Sequence, residues 1–176
     1  MTTEQNKTLA ALQMAIQMEI DGKEFYLKAS GDSSNDLGRK LLQKLAAEED
    51  IHQQKFREIY QAIQSKNTWP TTDFQPQGGK ELRTVFAQAA EQMGRDIKAA
   101  ESELEAVQTA IGMENKTYDY YQQQGSQASY PAEQEFYQTL AGEEKGHSLF
   151  LLDYFEFLKN PAGWFVEKEH PSLDGG

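Results

Sequence analysis

The chain repeats itself once, at a constant spacing of 95 residues. AIQMEIDGKEFY from Ala15 returns as AIGMENKTYDYY from Ala110, and LAAEEDIH from Leu45 returns as LAGEEKGH from Leu140. Glu19 thereby matches Glu114, Glu48 matches Glu143, Glu49 matches Glu144, His52 matches His147, and Tyr26 matches Tyr121. One offset over all these positions indicates two copies of a structural unit related by a pseudo-twofold axis.

The unit is a pair of helices. Apolar residues recur at helical spacing over about 4–30 (Leu9, Leu12, Ile16, Ile20, Leu27) and about 35–66 (Leu41, Leu42, Leu45, Ile51, Phe56, Ile59, Ile63). GDSSND, from Gly31, supplies the turn and several N-cap candidates. The second copy reads as helices over about 97–124, ending at Gly125, and about 131–158, opening on Pro131 with Glu133 and Glu135 in a favourable first turn. A shorter helix is expected over about 80–93, inside a long link of about 67–96, with the loop NTWPTTDFQPQGGK before it. Strand signals are missing. The expectation is an all-α, ferritin-like four-helix bundle over 1–160, with one long crossover between helices 2 and 3. Residues 161–176 are expected to be an irregular tail docked through Trp164 and Phe165.

The spacing inside each copy places carboxylates together. Glu49 follows Glu19 by 30 residues, and Glu144 follows Glu114 by 30. A chain that climbs to the turn and descends at about 1.5 Å per residue returns the second glutamate to the depth of the first. Each of the four has apolar residues one and two turns before it: Leu12, Ala15 and Ile16 for Glu19, Leu42, Leu45 and Ala46 for Glu49, Val107, Ala110 and Ile111 for Glu114, and Leu140 and Ala141 for Glu144. All four therefore lie on inward stripes. Glu48 and Glu143 lie one position off the stripe and are expected to face solvent.

Four buried carboxylates need cations. No symmetric Lys or Arg is placed to serve, since Lys23 is replaced by Tyr118 in the second copy. Two divalent metals would balance four carboxylates, and Glu-x-x-His puts Glu49 with His52, and Glu144 with His147, on one helix face each. Tyr26 and Tyr121, seven residues after the upstream glutamates, read first as core and alternatively as hydrogen-bond partners of the ligands. Met18 and Met113 read as core, Glu24 and Asp119 as surface acids, and His170 as structural or exposed. QGGKEL lacks the spacing of a phosphate loop.

Composition narrows the chemistry. The 176 residues contain no cysteine, which rules out thiolate nucleophiles, disulfides and Cys-ligated metals. A net charge of -11 argues against general nucleic-acid binding. No apolar run has the length of a membrane span and no secretory leader is visible, so a cytoplasmic location is the expectation.

Over about residues 5–158 the paired Glu-x-x-His motifs with their upstream glutamates resemble the ferritin-like di-iron superfamily, and most nearly the rubrerythrin family. The resemblance implies that Glu49 and Glu144 bridge two irons, with Glu19 and His52 completing one and Glu114 and His147 the other. It also implies a peroxidase active in oxidative-stress defence, which reduces hydrogen peroxide or takes dioxygen as the competing oxidant, and it implies a homodimer. Rubrerythrins commonly add a Cys-ligated rubredoxin domain, so this cysteine-free chain would need a separate donor such as a rubredoxin-like protein. Many also carry a further glutamate one turn after the third-helix glutamate. Thr117 stands there, suited to holding a water but a poor iron ligand. Bacterioferritins share a comparable ligand set, which keeps ferroxidase and iron storage as the alternative, with a metal-binding bundle without turnover as a third reading. Manganese and zinc are possible substitutes for iron.

Overall fold

The computed structural model describes residues 3–66, 68–70, 74, 80–93 and 98–169. It contains six helices: α1 (Thr3–Asp32), α2 (Asp36–Lys66), α3 (Lys80–Met93), α4 (Glu101–Gln127), α5 (Pro131–Lys159) and α6 (Pro161–Glu169). No strand occurs among the described residues. Asn35 caps α2, its Oδ1 accepting the Gly38 N–H at 2.6 Å. Pro131 opens α5, and Glu133 reaches back to accept the Ser129 N–H at 3.2 Å.

α1 packs along α2 and α4 along α5, while α1 also lies against α4. α3 rests on both α2 and α5, so the crossover covers the seam between those two helices. Two apolar clusters form the core. One gathers Tyr26, Leu41, Leu45, Val107, Ala110, Phe150 and Tyr154, among others. The other is built from residues that include Leu12, Ala15, Phe56, Tyr121, Tyr137 and Leu140. Each long helix leaves one cluster and enters the other, α1 and α5 in one direction and α2 and α4 in the opposite one. The crossing points are Glu19, Glu49, Glu114 and Glu144, so a polar layer divides the core at one depth.

The repeat is visible in surface chemistry as well. Lys23 pairs with Asp50 at 2.6 Å, and at the matching positions Lys145 lies over the Tyr118 ring at 5.7 Å. A cation–π contact thus replaces an ion pair at the same place in the second unit.

Several expectations need correction. Residues 161–169 are not irregular: they form α6, because Pro161 fits a first helical turn and Asn160 caps it, accepting the Gly163 N–H at 3.1 Å. Trp164 and Phe165 do dock, with Trp164 packed edge-on against Phe86 and Phe157. Gly125 does not end its helix: α4 runs through it, and a side chain there would lie 3.4 Å from Tyr137 Cβ, so the glycine lets α4 and α5 approach. Leu27 and Ile51, counted in the apolar periodicity of α1 and α2, are about half exposed. His170 lies outside the described residues.

One buried carboxylate escaped the sequence reading. Glu103, in the first turn of α4, accepts hydrogen bonds from Ser33 Oγ, Ser34 Oγ and Asn35 Nδ2, each at 2.8 Å, and from the Tyr154 hydroxyl at 3.1 Å. It ties the α1–α2 turn to α4 and α5. Gly38 sits so close that a Cβ there would fall 2.3 Å from Glu103 Oε1 and 2.5 Å from the Tyr154 hydroxyl. Glu103→Ala strands the buried Ser33 and Tyr154 hydroxyls and the half-buried Asn35 amide, and is expected to cost about 2–4 kcal/mol of stability. Thermal or urea unfolding checks this; a loss below about 1 kcal/mol would show that the cluster is ornamental.

Candidate metal centre

The six residues singled out by the repeat converge in the polar layer. Glu19, Glu49, Glu114 and Glu144 are each 3% exposed or less, as are His52 and His147. They form two groups: Glu19, Glu49, His52 and Glu144 in one, Glu49, Glu114, Glu144 and His147 in the other. Within each group one donor atom per residue lies within 4.8 Å of all the rest. Glu49 and Glu144 belong to both. The two imidazoles, one from each group, stack at 5.8 Å with 14° between their planes.

Both histidines turn Nδ1 into the layer. His52 Nδ1 lies 3.1 Å from Glu144 Oε1 and 3.5 Å from Glu19 Oε2 and Glu49 Oε2. His147 Nδ1 lies 3.3 Å from Glu49 Oε1, 3.6 Å from Glu114 Oε2 and 3.7 Å from Glu144 Oε2. Among the described residues, seven buried side-chain polar atoms lack a hydrogen-bond partner. Five belong to this layer: Glu19 Oε2, Glu49 Oε1, Glu144 Oε1 and both Nδ1 atoms; the others are Trp69 Nε1 and the Tyr137 hydroxyl. Buried polar atoms left unpaired are costly, so orphans concentrated at one point, all of them oxygen or imidazole nitrogen, fit a bound cation.

Protons respond to the same crowding. Burial and the charge of Glu49 push Glu19 up to about 8. Burial and the charge of Glu114 push Glu144 up to about 7. Burial alone would lower the His52 imidazole, yet Glu19 and Glu144 hold it well above the ordinary range. His147 is raised in the same way against its own burial, chiefly by Glu114 and Glu144. Burial would raise Glu114, but its contact with His147 wins and holds it low. Without metal, the layer keeps protons where cations would otherwise sit.

The outer contacts cross between the repeats. The Tyr26 hydroxyl donates to Glu114 Oε1, and the Tyr121 hydroxyl donates to Glu19 Oε1. Both readings of these tyrosines hold: each is packed in a core cluster, and each hydrogen-bonds a candidate ligand. Burial, with the charge of the accepting glutamate, holds both phenols far above the usual tyrosine range, so they remain donors. Thr117 turns its hydroxyl back onto the Met113 carbonyl at 3.1 Å. Lys23 and Tyr118 take no part, and Glu24 and Asp119 are exposed as expected.

Glu48 and Glu143 contradict the solvent-facing expectation. Glu143 is 3% exposed, and Glu48 Oε2 lies 2.7 Å from His147 Nε2. Being one position off the inward stripe turns these side chains toward the α2–α5 seam rather than to water. A cavity of about 220 Å³ opens there, lined by Lys44, Glu48, Ile51, His52, Phe74 and Glu143 among others. Phe74 packs edge-on against the His52 ring at 5.8 Å.

This arrangement coincides with a family match. The family model for rubrerythrin matches residues 10–155. The chain belongs to the rubrerythrin family. The match spans both repeats and every residue of the polar layer. A rubrerythrin bundle is a di-iron carboxylate bundle, and the two groups sharing Glu49 and Glu144 fit that description. No curated protein and no solved structure was found to match the chain. No helix among the described residues is long and apolar enough to cross a membrane.

Proposed function

We propose that the protein is a non-haem di-iron oxidoreductase that reduces hydrogen peroxide with electrons from a separate donor. The observation that carries the reading is the sharing of Glu49 and Glu144 between two buried groups, five of whose polar atoms have no hydrogen-bond partner. Glu19 and His52 would complete one iron, Glu114 and His147 the other. Two divalent ions offset the charge of the four carboxylates and leave both imidazoles neutral. When bound, iron supplies the redox electrons and Lewis acidity.

The chain supplies the rest. Tyr26 and Tyr121 hold Glu114 and Glu19 in place by donating to one oxygen of each. Phe56, Tyr121 and Tyr137 pack together beside the layer and exclude water from that end. The cavity at His52 gives a small oxidant an approach from the α2–α5 seam. Each peroxide consumes two electrons and two protons and leaves as two waters. Since the chain has no cysteine, the electrons come from a partner such as a rubredoxin-like protein. A homodimer in the cytoplasm suits this role.

The test is anaerobic loading with two ferrous ions per chain, then rapid mixing with peroxide and, separately, with oxygen. The expected result is faster oxidation by peroxide, in a protein that sizes as a dimer. Faster oxidation by oxygen, in an assembly of some hundreds of kilodaltons, would replace this reading with ferroxidase and storage.

A further inference from the structure

We infer that Glu48 is a positioning residue for the metal centre: it accepts the Nε2–H of His147 and so leaves Nδ1 as the ring's ligand nitrogen. The inference rests on the metal-centre reading above and deepens it. The two nitrogens of His147 sit in opposite settings. Nε2 is 2.7 Å from Glu48 Oε2. Nδ1 has no hydrogen-bond partner and faces Glu49, Glu114 and Glu144 at 3.3–3.7 Å. A neutral imidazole carries one N–H. With the ring neutral in the metal-loaded protein, a carboxylate on Nε2 would keep that proton there, fix the ring plane, and leave the Nδ1 lone pair for the ion.

Glu48 is placed for this by the fold. It belongs to α2 and His147 to α5, so the bond spans the seam that α3 covers. Its side chain is only 14% exposed, unlike the surface acids Glu24 and Asp119. Desolvating a carboxylate to that degree is offset by a charge-assisted hydrogen bond. The Glu-Glu pair of α2 thus has two tasks. Glu49 enters the layer itself, and Glu48 orients the imidazole that the facing helix contributes. The dependence is one-sided, because Glu48 touches the ring in only one of the two groups. Its loss should therefore weaken one metal affinity and spare the other.

The probe is zinc, which is redox-silent and takes the same donors. Apo protein, Glu48→Ala and Glu48→Gln are titrated with zinc, and the loaded proteins, carrying ¹⁵N-labelled histidine, are read by NMR. The native protein should take two zinc ions, with the His147 ring bearing a slowly exchanging Nε2 proton. Glu48→Ala should weaken one zinc by about 10–100-fold, spare the other, and expose that proton to exchange. Glu48→Gln, whose amide oxygen still accepts the proton, should restore most of both. A contact that only fastened α2 to α5 would lower the melting temperature without moving the proton signal. Two undiminished affinities with the protected proton kept in Glu48→Ala would overturn the inference alone. A native protein that binds no zinc would overturn the metal-centre reading and this inference with it. If Glu48→Ala does not fold, Glu48→Gln decides: loss of one zinc there counts against the role, and retention of both with the protected proton supports it.

Discussion

Glu49→Ala and Glu144→Ala will each lose stoichiometric binding of two irons per chain. Both residues belong to both groups of donor atoms, so under the proposed two-ion reading either substitution would take a ligand from both ions at once. It also leaves two divalent charges facing three carboxylates. The affinity loss should exceed the roughly 10–100-fold typical of losing an outer hydrogen-bond partner. Glu19→Ala and Glu114→Ala give the contrast, since each removes a ligand from one group only and should leave one iron bound. Sharing is what separates the two classes of variant. Equal losses from all four would mean four independent carboxylates around one loosely held ion.

The second large effect is on stability, and it depends on pH. Glu19 and Glu144 in the metal-free fold hold their protons up to about 8 and about 7, against 4.5 for the unassociated side chain. The folded state therefore binds more protons than the unfolded one between those limits, and the stability they provide is lost as pH rises through them. His52 and His147, both raised above 6.5, act in the same direction: their contribution is complete below 6.5 and fades at higher pH. Glu114, held low by His147, is ionised in both states above about 4.5, so its contribution is lost only at lower pH and leaves this window unchanged. Metal replaces these protons, so loading is favoured as pH rises. The gap in melting temperature between metal-loaded and apo protein should widen steadily from pH 5 to pH 8.5. At metal concentrations about a thousandfold above Kd it corresponds to about 4 kcal/mol. Taking the gap cancels the self-repulsion of a chain with net charge -11, which is common to both forms. A gap that stays constant or narrows with pH would contradict this account of the layer.

The bundle and the six central residues were legible because helix periodicity and a repeat are both one-dimensional signals. An inward stripe and a fixed offset can be read along the chain, and α3 fell on its expected bounds of 80–93. What could not be read is what a neighbouring helix presents. Glu48 looked like a surface acid because its own helix shows only that it leaves the stripe; His147, from α5, decides where it goes. Tyr26 and Tyr121 stood at the right distance from a glutamate of their own helix. Each instead serves the glutamate of the other repeat, because α1 and α4 lie antiparallel side by side. Glu103 drew no notice in its own helix, because the Ser33–Asn35 turn that surrounds it comes from about 70 residues away. For α6 the signal was present but misread: Asn-Pro ahead of Trp164 and Phe165 is a cap followed by a first-turn proline, not a stop.

If Glu49 and Glu144 hold two ions in common, an anaerobic titration with ferrous iron will show it. Run on the native chain beside Glu49→Ala and Glu144→Ala, it should break at two irons per chain for the first and show no two-iron endpoint for either variant. A native endpoint at one iron or none, or two irons retained in either variant, would contradict that sharing.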